Sequence, residues 1–235
     1  MECAVIDVKF VPEVHIERAA VELLNAYGRK FAPIVSPPVP AEEILECYLD
    51  LSLGFDDLTK RLGESGILGA TWIEDRNVVI DQSLDPTANP RVEGRYRFTI
   101  AHEIANWILH RQQLLDARSA PLLNAAPEPS IICRASAKRR PIESQADRFA
   151  GYLLMPEEMV RQQWTRENGS AAPYVAADEI AAMVAWGETF GDKQPIVGIS
   201  KRMAAAFHVS GQAMQIRLIN LGLVMTEKPP RSLFE

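Results

Sequence analysis

Residues 95–110 read Arg95-Tyr96-Arg97-Phe98-Thr99-Ile100-Ala101-His102-Glu103-Ile104-Ala105-Asn106-Trp107-Ile108-Leu109-His110, and this stretch decides the fold class. Apolar Ile100, Trp107, Ile108 and Leu115 fall at helical spacing, which predicts a helix over 99–115. Inside it, His102-Glu103 is the first half of the pattern His-Glu-x-x-His. In that pattern two imidazoles one turn apart face one zinc ion, and the glutamate activates a bound water. Asn106 stands where the second histidine belongs. The dipeptide alone is a weak signal, because a helix with a surface acid and a half-buried imidazole produces it equally well.

His110 does not restore the pattern. Eight residues at 1.5 Å per residue carry it about 12 Å along the axis from His102. Two donors of one zinc must lie within roughly 4 Å of each other. On an unbroken helix His110 cannot share a metal with His102.

Upstream, Ile67 to Ile73 and Asn77 to Asp81 are apolar, β-branched runs joined by the polar turn Glu74-Asp75-Arg76, which predicts a β-hairpin. An amphipathic helix is expected over 13–27 and an extended, Pro-rich connector over 31–40. A short helix should follow over 41–49, and a loop over 83–94. Downstream, 119–140 carries several prolines, little periodicity and the basic cluster Arg134, Lys138, Arg139 and Arg140. Helical pattern resumes over 142–154 and ends at Met155-Pro156. That helix holds Glu143 and Asp147, one turn apart. An acid so placed can supply a third zinc ligand, and its neighbour can hydrogen-bond the outer nitrogen of a ligand histidine. A solvated acidic pair is the plain alternative, and only the conjunction with His102-Glu103 favours the site.

The 235 residues suit one large domain or two small ones. With 47% hydrophobic and 24% charged residues, the composition excludes a disordered or collagen-like chain. A net charge of −6 gives no global reason to bind nucleic acid, and the basic cluster reads first as a solvated loop. Cys3, Cys47 and Cys133 are odd in number and far apart, against a disulfide framework and against a Cys-rich zinc site. Without a membrane-length apolar run or a signal pattern, a cytoplasmic location is expected.

The conjunction of these pieces resembles the ImmA/IrrE family of metallopeptidase-like proteins. It includes Pro37-Pro38-Val39-Pro40, the hairpin, Arg97 to Glu103, His110, Glu143 to Ala150 and Leu153-Leu154-Met155-Pro156. It also includes Phe207-His208-Val209-Ser210, Arg217-Leu218 and Leu221-Gly222-Leu223. The resemblance implies a zincin-like fold and a zinc held by two histidines and a glutamate. It also implies action on a helix-turn-helix repressor or stress regulator, and so a part in transcription regulation. Carried over by position, His102 is the first ligand, Glu103 the catalytic base, Glu143 the third ligand and Asp147 the outer partner. Asn106 falls at the second ligand, where it offers only a neutral amide oxygen. Ala105 also stands where the family has glycine.

Three occupancies are compatible with that substitution. Zinc is held weakly by His102, Glu143 and Asn106 with water, a harder divalent ion replaces it, or the residues form a metal-free polar cluster. Two functions follow: a metal-dependent endopeptidase, with an edge strand of the hairpin aligning an extended substrate, or a pseudopeptidase that binds a regulatory partner without cutting it. The fold class expected is α+β. A small, mostly antiparallel sheet should pack on the active-site helix in a domain over 1–175, with a helical, helix-turn-helix-like subdomain over 176–235. There Ser210 should cap a helix, and Gln212, Gln215 and Arg217 are the thin set of base-reading candidates, so direct nucleic-acid binding is not expected.

Overall fold

The computed structural model describes residues 10–117, 129–134, 141–186, 190 and 195–228. These fall into two compact units: the described residues of 1–35 and 39–154, and those of 36–38 and 155–235.

In the first unit, α1 (Glu13–Lys30) is followed by α2 (Ala41–Glu43), which widens into a π-helical turn over Ile44–Tyr48. Then come β1 (Ser52–Asp56), α3 (Leu58–Leu62), β2 (Ile67–Trp72) and β3 (Asn77–Asp81). Short 3₁₀ turns at Gln82–Leu84 and Pro90–Val92 fall in and beside the loop expected over 83–94 and lead into α4 (Glu93–Ala105), which begins inside that span. A second π-helical turn, Asn106–His110, continues into α5 (Arg111–Ala117). The strand β4 (Ile131–Arg134) and the helix α6 (Pro141–Leu154) complete the unit.

The sheet order is β1-β3-β2-β4. β2 pairs antiparallel with β3 and with β4, while β1 runs parallel to β3, so the sheet is mixed and the fold α+β. The hairpin expected from the sequence is present, but both of its strands are interior. β1 and β4 are the edges among the described residues, so the hairpin cannot supply the substrate-aligning edge. The physical cause is that both faces and both sides of β2 and β3 are apolar enough to be covered; Ala70, Trp72, Val78, Val79 and Ile80 are all buried.

One sheet face, carrying Leu58 from α3 with Ile67, Ala70, Trp72 and Val79, forms an apolar cluster. A register shift between Ile67 and Gly69 against β4 puts Ile67 on the same face as Ala70. α4 packs on the sheet and along α6, and α6 packs on α1. From Ile100 to Ala105 every residue of α4 is buried, which explains its weak amphipathic signal. Arg97 Nη2 donates to the Val39 carbonyl, tying α4 to the segment before α2.

The second unit contains α7 (Glu157–Asn168), β5 (Tyr174–Val175), α8 (Ala177–Ala185), α9 (Gly198–Phe207), α10 (Gly211–Asn220) and β6 (Val224–Met225). α7 packs on α9, and β5 pairs parallel with β6, so both belong with the C-terminal helices and the packing break comes after α6. Ser210 Oγ accepts from Ala213 N at 3.1 Å and caps α10, as its position implies. Gln215 and Arg217 are buried. Gln215 accepts from Val197 N and donates to the Pro195 carbonyl, and Arg217 Nε donates to the Met155 carbonyl. Only Gln212 of that trio is exposed. Residues 135–140 of the basic cluster lie outside the described residues. No helix among the described residues is long and apolar enough to cross a membrane.

Candidate metal centre

Four elements meet at His102. Its helix, α4, approaches the sheet at Gly69, where an added Cβ would lie 2.7 Å from Glu103 Oε1 and 2.9 Å from Thr99 Cγ2. Glycine is required by that close approach rather than by backbone conformation. Thr71, two residues on and so on the same face of β2, donates its hydroxyl to Glu103 Oε2 at 2.6 Å. Cys133 pairs across the ladder with Gly69 and therefore shares that face, which points its thiol towards α4. From the other side α6 presents Glu143 and Asp147, separated by one turn.

The imidazole is only 1% exposed. Its Nδ1 lies 3.0 Å from Asp147 Oδ1, and its Nε2 lies 3.3 Å from Glu143 Oε2. The Asp147 contact orients the ring and favours the tautomer whose Nε2 lone pair is available. Nε2 itself makes no aligned hydrogen bond among the described residues. Donor atoms of His102, Cys133 and Glu143 all lie within 4.8 Å of one another. Burial works against a charged imidazole, but the Cys133 sulfur, Asp147 and Glu143 outweigh it and hold the His102 pKa well above its ordinary value. Surrounding anions and a thiol thus favour positive charge at this place.

Glu103 is fully buried. Burial raises its pKa, against the opposing pull of His102, Thr71 and Asn106. Asn106 Nδ2 donates to Glu103 Oε2 at 3.2 Å, so this carboxylate oxygen is fixed by two donors. Glu103 Oε1 and Asn106 Oδ1 make no hydrogen bond among the described residues. His110 closes the π-helical turn and is wholly buried; burial, then the charge on His102, push its pKa down to about 4. It stands outside the donor cluster, as the helical rise requires.

The structure therefore brings together His102, Glu143 and Asp147, and sets Glu103 and Asn106 against each other on the following turn. Cys133 escaped the sequence reading. Ile131-Ile132-Cys133-Arg134 is too short and too close to prolines to announce a strand, and a lone cysteine carries no motif.

The residues present fit a divalent cation on the evidence of their own chemistry. Nitrogen, sulfur and carboxylate donors converge within about one ångström of the separation zinc requires, and the buried His102 Nε2 makes no aligned hydrogen bond among the described residues.

No curated protein matches the chain. Among solved structures it is similar to a Mycobacterium tuberculosis transcriptional regulator at 12% identity and a TM-score of 0.43. That match covers 88% of this chain and 52% of the other, so the chain spans about half the length of that protein. The family profile of the IrrE N-terminal-like domain, peptidase M78, matches residues 53–218, a range that runs from within β1 into α10 and contains every residue of the centre. The chain belongs to the peptidase M78 family of IrrE N-terminal-like domains.

Proposed function

We propose that the protein is a zincin-like, metal-dependent peptidase acting on a helix-turn-helix repressor or stress regulator. The observation that carries this reading is the buried His102, held by Asp147 on one ring nitrogen and facing Glu143 with the other. His102 and Glu143 are the residues that would hold zinc. When bound, the ion supplies Lewis acidity to the scissile carbonyl and to water.

The chain's own groups perform the remaining work. Glu103 Oε2 is fixed by Thr71 and Asn106, leaving Oε1 as the oxygen that takes a proton from water. Burial raises the Glu103 pKa, which lets the carboxylate hold that proton until the leaving amine needs it. Asp147 keeps the His102 ring from rotating. β4, an edge among the described strands, offers backbone groups to an extended peptide beside the centre.

The test is a comparison of new protein N-termini in cells producing the wild-type chain or Glu103→Gln. Cleavage of a DNA-binding regulator that disappears in Glu103→Gln is expected, and identical profiles would overturn the peptidase reading. A second reading, a pseudopeptidase that binds its regulator without cutting it, is favoured by one observation. Asn106, at the second ligand position, gives its amide nitrogen to Glu103. That reading requires partner binding to survive both chelation and Glu103→Gln.

A further inference from the structure

We infer that Cys133 is a protein ligand of the cation centre, completing with His102 and Glu143 the set that Asn106 leaves one imidazole short. The inference rests on the metal-dependent reading above and names the residue that makes the centre a three-ligand site.

The placement is specific. Cys133 is 6% exposed, lies opposite Gly69 in the ladder, and so faces the part of α4 that comes closest to the sheet. A zinc ion bonded at about 2.0–2.3 Å needs its donors roughly 3.3–3.8 Å apart. The three donors already lie within 4.8 Å of one another, and side-chain rotation covers the remainder. The buried His102 Nε2 lies 3.3 Å from Glu143 Oε2 and makes no aligned hydrogen bond among the described residues, so its lone-pair direction is left open towards the donor cluster.

Charge and donor chemistry favour sulfur over the Asn106 amide. A thiolate brings a negative, soft donor to the dication, whereas an amide oxygen is a neutral and poorer one. Thiolate also selects zinc over magnesium or calcium, which prefer oxygen. The Asn106 amide is meanwhile engaged through Nδ2 with Glu103. Nitrogen, sulfur and carboxylate ligands with a fourth position open is a pattern of catalytic rather than structural zinc.

The experiment strips the full chain of metal under reducing, oxygen-free conditions and titrates it with cobalt(II), then with zinc(II). One cobalt per chain is expected, with a near-ultraviolet thiolate-to-cobalt charge-transfer band that one equivalent of zinc abolishes. Cys133→Ser should lose the band and bind at least about ten-fold more weakly. Adding Asn106→His to Cys133→Ser should restore tight binding without the band. Circular dichroism and thermal melting confirm that each variant is folded. Tight cobalt binding by the wild type without the band, or unchanged affinity in Cys133→Ser, would overturn the role of Cys133 while leaving the His102–Glu143 centre standing. Binding by Asn106→His but not by the wild type would also overturn it. If folded wild type and Asn106→His both fail to bind, the metal-dependent reading falls, and the Cys133 inference with it.

Discussion

Gly69→Ala probes the approach of α4 to the sheet on which the centre depends. The new methyl would lie 2.7 Å from Glu103 Oε1 and 2.9 Å from Thr99 Cγ2, short of ordinary contact at 3.4 Å by 0.7 and 0.5 Å. These neighbours sit on successive turns of α4, which is also packed along α6 and has little room to retreat. Overpacking of this kind costs about 1–3 kcal/mol. Alanine returns about 0.4–1 kcal/mol by restricting the unfolded chain. The net expectation is a destabilisation of about 0.5–2 kcal/mol, read as a lower urea midpoint at unchanged slope. Because part of the strain falls on the Glu103 carboxylate, Gly69→Ala should cost less in a Glu103→Ala background, with a coupling of about 0.5–1 kcal/mol. A Gly69→Ala protein as stable as the wild type, or two substitutions that simply add, would refute the close approach as the reason for glycine.

Other expectations follow from the same geometry. Asp147→Asn keeps the shape of the side chain but weakens the hydrogen bond that orients His102, and zinc affinity by competition with a chromophoric chelator should fall about 10–100-fold. His110 gives a pH dependence to the metal-free protein. Its pKa of about 4 lies below the ordinary 6.5, so between these values the unfolded chain binds a proton that the native chain does not. Its contribution is present in full above about pH 6.5 and is lost as the pH falls towards 4. The wild type should therefore lose about 2 kcal/mol more than His110→Leu between pH 7 and pH 5 in urea titrations. In the second unit, Gln215→Ala strands the Val197 N–H and the Pro195 carbonyl and should destabilise by roughly 2–3 kcal/mol, measured by denaturant unfolding.

Several features of the fold were legible in residue order because they depend on neighbours a few positions apart. β-branched runs on either side of Glu74-Asp75-Arg76 specify the hairpin, and Ser210 announces the cap of α10. Apolar spacing around His102 specifies a helix, although it starts at Glu93, in a polar stretch ahead of that spacing, and its π-helical turn at Asn106–His110 leaves no local sequence mark. The spacing of Glu143 and Asp147 fixes that both lie on one helical face, and the structure places both carboxylates on His102.

The order of strands was not written in any local pattern. β1 pairs parallel with β3 although β2 lies between them in the chain, and β4 emerges from a proline-flanked segment whose four residues carry too little periodicity to mark a strand. Pairing register is settled by which apolar faces can be covered at once, a property of the assembled sheet. Sequence by itself thus determined the helix with its imidazole and acid, and the acidic pair that answers them. Only the tertiary structure decided that the hairpin is interior, that Asn106 turns its amide to Glu103, and that the thiol of a cysteine 31 residues away lies within 4.8 Å of the His102 ring nitrogen. The reason is range: helical and turn signals are encoded within a few residues, whereas donor convergence requires distant backbones to meet, and no local pattern of side chains records that meeting.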